Sequence, residues 1–433
     1  MPTSPSARAV RRIAIVVAAG LLAALAASPG GVGAAAATTR FATFNASLNR
    51  GAAGQALTDL SIPDNAQASA VAEIIQRTRP EILLINEFDY YAPTAEHPDG
   101  PLVDAFRDNY LEVAHHGAAP IDYPYSFVAP SNTGISSGFD LNNNGVTDTT
   151  PGDNAYGDDS LGFGVFPGQF GLVVYSQHPI LTEDLRTFQN FLWKDMPGAR
   201  LPDDSTTPAP RDWYSAAELA IFPLSSKSHW DVPIDIDGTV VHFLVSHPTP
   251  PVFDGPEDRN GTRNADEIRL WADYISDGTT ASYIYDDNGT FGGLESGALF
   301  VIAGDQNSDP LDGDSIPGAI QQLLDHPLVN AKDRPDSNGG HYWAKVQDAL
   351  NDTHRSNPRY DTADFCDTPV FPPCSGPGNL RADYVLPRSE IKIADSAVFW
   401  PAAGEPFVEL TGTGFPVPSS DHRLVWVDVR LPG

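Results

Sequence analysis

The chain has 433 residues, 41% of them hydrophobic and 19% charged, which suits a globular protein with a sizeable core. Its 56 acidic residues against 26 lysines and arginines give a formal charge of −30, a surface that repels nucleic acid and anionic membranes. A polyanionic substrate is therefore excluded unless local cations or a metal hold it.

Along the chain, Arg8, Arg11 and Arg12 precede an apolar run over residues 13–27, then Ser28-Pro29-Gly30-Gly31 and alanines at 34–37. This is the pattern of an export signal with small-residue cleavage sites. The run is too short for a comfortable membrane span, which takes about 20 residues. Residues 1–37 thus read as a signal peptide and 38–433 as the mature, secreted chain, by the Sec route or, through Arg11-Arg12, the Tat route.

Arg40-Phe41-Ala42-Thr43-Phe44-Asn45 alternates like a strand, and residues 66–78 place Val71, Ile74 and Ile75 at helical spacing before the stop at Pro80. A second strand is predicted over 81–87. The region 118–168 is rich in Gly, Asn, Asp and Pro and reads as a long insertion; 277–298 reads as another. Within the first, Asp140, Asn142, Asn144 and Asp148 alternate oxygen donors around Gly145, the spacing of a calcium loop. Pro151 stands where an EF-hand needs glutamate, so a structural Ca²⁺ and an Asx-rich turn are both open readings.

Further strands are predicted over 171–175, 240–245, 299–302, 382–386 and 424–429. A helix is predicted over 263–275, and Arg263 and Asn264 at its start suit an anion. Lys227 and His229 face a substrate or belong to a surface loop. Lys332, Arg334, Lys345, His354, Arg355 and Arg359 form the least acidic stretch, expected to line one side of a cleft. Cys366 and Cys374, flanking a Pro-rich loop, read as a small disulfide in an oxidising compartment. No repeat or linker divides the chain, and one elaborated α/β domain is expected.

Several predicted strands end in a polar residue on a loop: Asn45, Glu87, His247, and Asp305 with Asn307 in Val301-Ile302-Ala303-Gly304-Asp305-Gln306-Asn307. Asp383 opens another strand, and Ser420-Asp421-His422 precedes the last. An acid at a strand end takes a proton from water, and an amide two residues on donates to an oxyanion. That ordered set resembles the endonuclease/exonuclease/phosphatase superfamily, which includes pancreatic-type deoxyribonucleases, abasic-site endonucleases, neutral sphingomyelinases and inositol polyphosphate 5-phosphatases.

The resemblance runs from Phe41 to Val429 and implies a four-layered α/β sandwich, two packed mixed sheets flanked by helices with long loop insertions. It also implies a divalent-metal hydrolase, with Mg²⁺, Mn²⁺ or Ca²⁺ at the active site. Glu87 becomes a metal ligand, with Asn45 and Asp421 beside the metal and Asn45 also on the phosphate. Asp305 activates the water, Asn307 and His247 donate to phosphoryl oxygens, and His422 is held by Asp383. Where relatives carry a glutamate or tyrosine facing the site, this chain has Gln169, which cannot ionise but can still donate.

The expected function is an exported metal-dependent phosphoesterase, leaning to a phosphomonoesterase of small organic phosphates because the chain lacks a basic track for a long polyanion. An extracellular nuclease is the alternative, and a sphingomyelinase-type activity follows. A non-catalytic, calcium-stabilised binding protein is the reading of another class. Neither a stable membrane association nor a protein partner is expected.

Overall fold

The computed structural model describes residues 38–366, 376–412 and 417–432. Its strands in chain order are β1 (Thr39–Asn45), β2 (Ile82–Asn86), β3 (Tyr125–Phe127), β4 (Leu172–Ser176), β5 (Arg186–Thr187), β6 (His229–Ile236) and β7 (Thr239–Ser246). They continue with β8 (Leu299–Asp305), β9 (Ala363–Phe365), β10 (Gly378–Leu380), β11 (Asp383–Pro387), β12 (Lys392–Val398) and β13 (Val425–Arg430). One six-stranded sheet has the order β12-β13-β1-β2-β4-β3, and a five-stranded sheet has the order β11-β8-β7-β6-β5.

Period-two alternation decides which side chain enters which layer. Phe41 of β1, Ile82 and Leu84 of β2, Val241, Phe243 and Val245 of β7, and Val301 and Ala303 of β8 meet in one cluster between the sheets. The opposite parity of the first sheet, Ala42, Phe44, Leu83 and Ile85, packs with Val71, Ile74 and Ile75 of the Ala66–Thr78 helix. On the second sheet Leu244, Phe300 and Ile302 pack with Ile268, Leu270 and Trp271 of the Arg259–Tyr274 helix. Helix, sheet, sheet and helix stack as four layers, the expected sandwich.

Strand direction then selects one rim. β1 and β2 are parallel, as are β7 and β8, so each pair ends together. β11 runs antiparallel to β8 with Asp383 opposite Asp305, and β13 runs antiparallel to β1. Their amino ends therefore lie beside the carboxyl ends of β8 and β1.

The predicted elements are found with shifted ends. The first long helix spans Ala66–Thr78 as read, while the later one starts a turn earlier than expected, at Arg259. β6 was not foreseen because Pro233 argues against an interior strand. It is tolerated because β5 pairs β6 only at Trp230 and Asp231, and Pro233 contributes its carbonyl, which accepts from the Leu181 N–H at 2.9 Å. The insertion at 118–168 supplies edge strand β3 and the buried Ser131-Asn132-Thr133. In the 277–298 insertion, buried Asp286 pairs with Arg186 at 2.7 Å. The signal-peptide reading of residues 1–37 and Cys374 lie outside the described residues; Cys366 is buried. Among the described residues no helix is long and apolar enough to cross a membrane.

Gly304 lets β8 approach β7 closely just before Asp305. Its φ is 147°, and a Cβ there would lie 2.0 Å from the Ser246 carbonyl oxygen. Gly304→Ala is expected to cost about 3 kcal/mol through strain and overpacking, read as a lowered urea midpoint. An unchanged midpoint would disprove the close approach.

Candidate active site

The parity that fills the space between the sheets continues past the hydrophobic residues to the rim. Phe41 and Asn45 share a face of β1, Ala303 and Asp305 a face of β8, and Val385 and Asp383 a face of β11. Where the chain leaves the strands, Ser47, Glu87 and Asn307 adopt φ values of 48°, 57° and 50°, left-handed conformations that side chains other than glycine rarely take. Such strain gathers at functional sites held by their surroundings.

One amide ties the two sheets together. Asn45 Nδ2 donates to Glu87 Oε1 at 3.0 Å and to Asp305 Oδ2 at 3.1 Å, and Asn45 is fully buried. Asn49 Nδ2 donates to the other Glu87 oxygen at 2.9 Å, a contact with no sequence signal beyond its place four residues after Asn45. Ser420 Oγ donates to the Asn45 carbonyl at 2.7 Å, which staples the loop carrying Asp421 and His422 to the end of β1.

Asp305 is the hub of the buried charges. Its Oδ1 accepts the Asn307 N–H at 2.9 Å, while Oδ2 lies 3.4 Å from His247 Nε2 and 3.6 Å from His422 Nε2. Burial raises its carboxyl above the ordinary aspartate range; the charge of His422 opposes this and that of Asp383 adds to it. The two imidazoles differ in charge. Burial pulls His422 down, but Asp383 and Asp305 outweigh it and hold His422 well above the usual histidine range, with Nδ1 2.9 Å from Asp383 Oδ2. Burial, then the charges of Lys227 and His422, hold His247 well below that range. The rim thus carries an imidazolium and a neutral imidazole on either side of one carboxylate.

Asp305, Asp383 and His422 lie close enough to share a cation. Their contacts are already those of an acid–imidazolium–acid chain, and Asp383 Oδ2 also accepts from Thr362 Oγ1 at 2.8 Å. A hard divalent ion fits better at Glu87 and Asp421. Glu87 is raised by burial and then by repulsion from Asp421, and neither carboxylate is paired with a cation among the described residues. Two repelling carboxylates supply the hard oxygen donors that magnesium or calcium prefers, with Asn45 hydrogen-bonded to one of them.

Other predicted positions serve the scaffold. Gln169 Nε2 donates to the Arg50 carbonyl at 2.8 Å and its Oε1 accepts the Val165 N–H at 2.7 Å, which ties loops rather than reaching the acids. Arg263 and Asn264 do not meet an anion at a helix start: they sit one turn in. Arg263 donates to the carbonyls of Leu224, Leu161 and Pro223, and Asn264 to those of Thr249 and Gln306. In the 140–148 loop, Asp140, Asn142 and Asn144 accept backbone N–H groups of residues 144–146, as in successive Asx turns, and Asp148 donates its N–H to Asp159.

The Ser225–His229 segment splits its two candidates. Lys227 is 6% exposed, and its ammonium makes no hydrogen bond or ion pair among the described residues. Burial lowers its pKa against the pull of Glu267, Glu87 and Asp305, which places its charge in the same field as the acids. Glu267 positions it: Oε1 accepts the Ser226 N–H at 2.7 Å and Oε2 the Thr249 N–H at 2.6 Å, linking the Lys227 loop to the His247 loop. His229 points inward. Its Nε2 donates to the Glu267 carbonyl at 3.0 Å, and its Nδ1 accepts from Ser225 Oγ at 2.6 Å.

A family model described as the endonuclease/exonuclease/phosphatase family matches residues 42–422. No curated protein matches the chain in sequence. Solved structures similar to it include an endonuclease/exonuclease/phosphatase from Beutenbergia cavernae, at 16% identity and a TM-score of 0.45, covering 92% of this chain and 72% of that one. Sphingomyelinase C from Streptomyces griseocarneus is similar at 14% identity and a TM-score of 0.40, covering 90% and 99%. The human Nocturnin catalytic domain with bound sulfate is similar at 12% identity and a TM-score of 0.41, covering 90% and 94%.

Burial pulls the His229 pKa down to about 3, so this imidazole stays neutral in the folded protein while its unfolded counterpart protonates near 6.5. The unfolded state then binds the extra proton between those values, and stability falls as pH drops through that window, by up to about 1.4 kcal/mol per unit. His229→Gln is expected to flatten the fall of the unfolding midpoint between pH 6.5 and pH 4. A variant as acid-sensitive as wild type would show that another group is responsible.

Proposed function

We propose that this chain, which belongs to the endonuclease/exonuclease/phosphatase family and is thereby a metal-dependent phosphoric ester hydrolase, acts outside the cell on small phosphate monoesters. The observation that carries the site is the Asn45 amide shared between Glu87 and Asp305, with His247, His422 and Lys227 around them. The substrate reading is supported by charge. A chain of net −30 offers two buried cationic side chains at this rim, enough for one phosphoryl group and too few for a long polyanion.

In this reading Glu87 and Asp421, with Asn45, hold the divalent ion. When bound, that ion supplies positive charge to the phosphate oxygens as the ester breaks. Asp305, raised by burial, takes the proton of the attacking water, and Asn45 and Asn307 N–H hold its two oxygens in place. Lys227 and the neutral His247 donate to phosphoryl oxygens, where charge develops in a largely desolvated pocket. His422, oriented by Asp383, balances the acids and donates from Nε2. Asn307 Nδ2 donates to the Pro248 carbonyl at 3.1 Å, which fixes its amide plane beside Asp305. Residues 1–37 as an export signal and a Cys366–Cys374 disulfide formed after export complete the proposal.

The test is hydrolysis by the mature chain of p-nitrophenyl phosphate, sugar phosphates, bis-p-nitrophenyl phosphate and plasmid DNA, with EDTA and with Mg²⁺. Monoesters are expected to be preferred, EDTA to abolish turnover and Mg²⁺ to restore it. Asp305→Asn is expected to lower kcat about 10²–10⁴-fold, and Lys227→Met to lower kcat/KM about 10–100-fold. Faster turnover of DNA or the diester would overturn the substrate assignment. Wild type no more active than Asp305→Asn on every ester would overturn the catalytic one.

A further inference from the structure

Three arginines line a pocket that the reaction does not use. Arg334, Arg355 and Arg381 surround a cavity of about 240 Å³, together with Ser356, Tyr360 and Asp361. In a chain with 56 acids, arginines normally find carboxylates. Among the described residues, none of these three guanidinium groups makes an ion pair or donates a hydrogen bond. Arg381 is only 6% exposed, and aromatic faces are its company: it lies 4.5 Å from the Tyr384 ring centroid, while Arg334 lies 5.5 Å from that of Tyr360.

The acids nearby are occupied with backbone. Asp309 accepts the N–H groups of Leu311, Asp312 and Arg381, and Asp312 those of Arg355 and Ser356. Asp361 Oδ1 and Ser356 Oγ are buried without a partner. Burial and the charges of Asp309 and Asp312 push the Asp361 carboxyl up to about 9, so it carries a proton at neutral pH and can donate. A buried, always-charged arginine without a partner is costly, and an unpaired hydroxyl and carboxyl beside it add to that cost. A tetrahedral oxyanion would satisfy all three.

The pocket shares a wall with the candidate active site. Arg381 stands two residues before Asp383, and its N–H donates at 2.9 Å to Asp309, four residues after Asp305. Thr362, next to Asp361, donates to Asp383 Oδ2.

We propose that this pocket is a phosphate-binding subsite, with Arg381 as its buried anchor and Arg334 and Arg355 at its mouth. Resting on the phosphoesterase reading above, it takes either a second phosphate of the substrate or free inorganic phosphate. Guanidinium forks match phosphate oxygens bidentately, which is why arginine rather than lysine suits it.

Titration calorimetry of inorganic phosphate against EDTA-treated Asp305→Asn protein, with and without Arg334→Gln and Arg355→Gln, measures the site without turnover. At least tenfold weaker binding in the variant with both arginines replaced is expected. Because both arginines are exposed, this variant remains informative if Arg381→Met does not fold. Kinetics in the otherwise native enzyme then separate the sources, using fructose 1,6-bisphosphate against fructose 6-phosphate. A tenfold rise in KM for the bisphosphate alone assigns the subsite to the substrate. Weaker inhibition by phosphate with both KM values unchanged assigns it to the free anion. Phosphate affinity within twofold of the parent overturns the subsite even if the enzyme hydrolyses esters, and calorimetry reads the subsite even if it hydrolyses none.

Discussion

The site depends on one carboxamide. Asn45 ends β1 in the first sheet, yet its two N–H groups hold a carboxylate from each sheet, Glu87 and Asp305. Without that shared donor, two acids facing each other in a dry rim would repel; the Asn86 amide on the Ser246 carbonyl and the His422–Asp383 pair are further polar contacts between the sheets there. The amide also separates surroundings: Glu87 is left beside Asp421, while Asp305 is turned toward the imidazoles. A single buried polar group therefore connects the packing of the core to the electrostatics of the rim. Such networks stabilise when every member is satisfied and fail badly when one is not.

The second organising element is the polar side of the Arg259–Tyr274 helix. One flank buries Ile268, Leu270 and Trp271 against the second sheet. Another presents Arg263, Asn264 and Glu267, all buried, and each is spent on loop backbone. Through them the loops carrying Lys227, His247 and Gln306 are held from a single rigid element. Loop residues can be positioned for chemistry when a scaffold satisfies their backbone groups. Two of those side chains, Arg263 and Asn264, look functional in the sequence and are structural in the fold.

That distinction marks how far the sequence could be read. The strand ends were legible because alternation carries Phe41 to Asn45 and Ala303 to Asp305 on one face, and a polar residue at the end of that face has only the rim to occupy. Ser420-Asp421-His422 was legible as a motif, although only the antiparallel pairing of β13 with β1 explains its place. Arg263, Asn264, Gln169 and His229 were misleading for a common reason. A polar side chain serving backbone groups and one serving a ligand have the same sequence signature, and only the partner tells them apart. Pro233 hid β6, since the local rule against proline in strands gives way where one edge needs only a carbonyl. Asn49 and Glu267 gave no signal because their importance lies in contacts with residues distant in the sequence: Glu87 for Asn49, and the Ser226 and Thr249 N–H groups for Glu267.

Net charge and local charge also part company in this protein. At physiological ionic strength a field decays over about 8 Å, so most of the −30 is felt by an approaching anion only near the surface. What matters inside the rim is the few groups held close together there: His422 and Lys227 against Glu87, Asp305, Asp383 and Asp421. Two cations against four acids leave that cluster negative without an ion. A divalent ion there would offset that charge and so lift the barrier to an approaching phosphate. A cation seated on carboxylates would therefore make the acidic surface and the phosphate chemistry compatible, since the same acids that repel a phosphate in the bare site attract that cation.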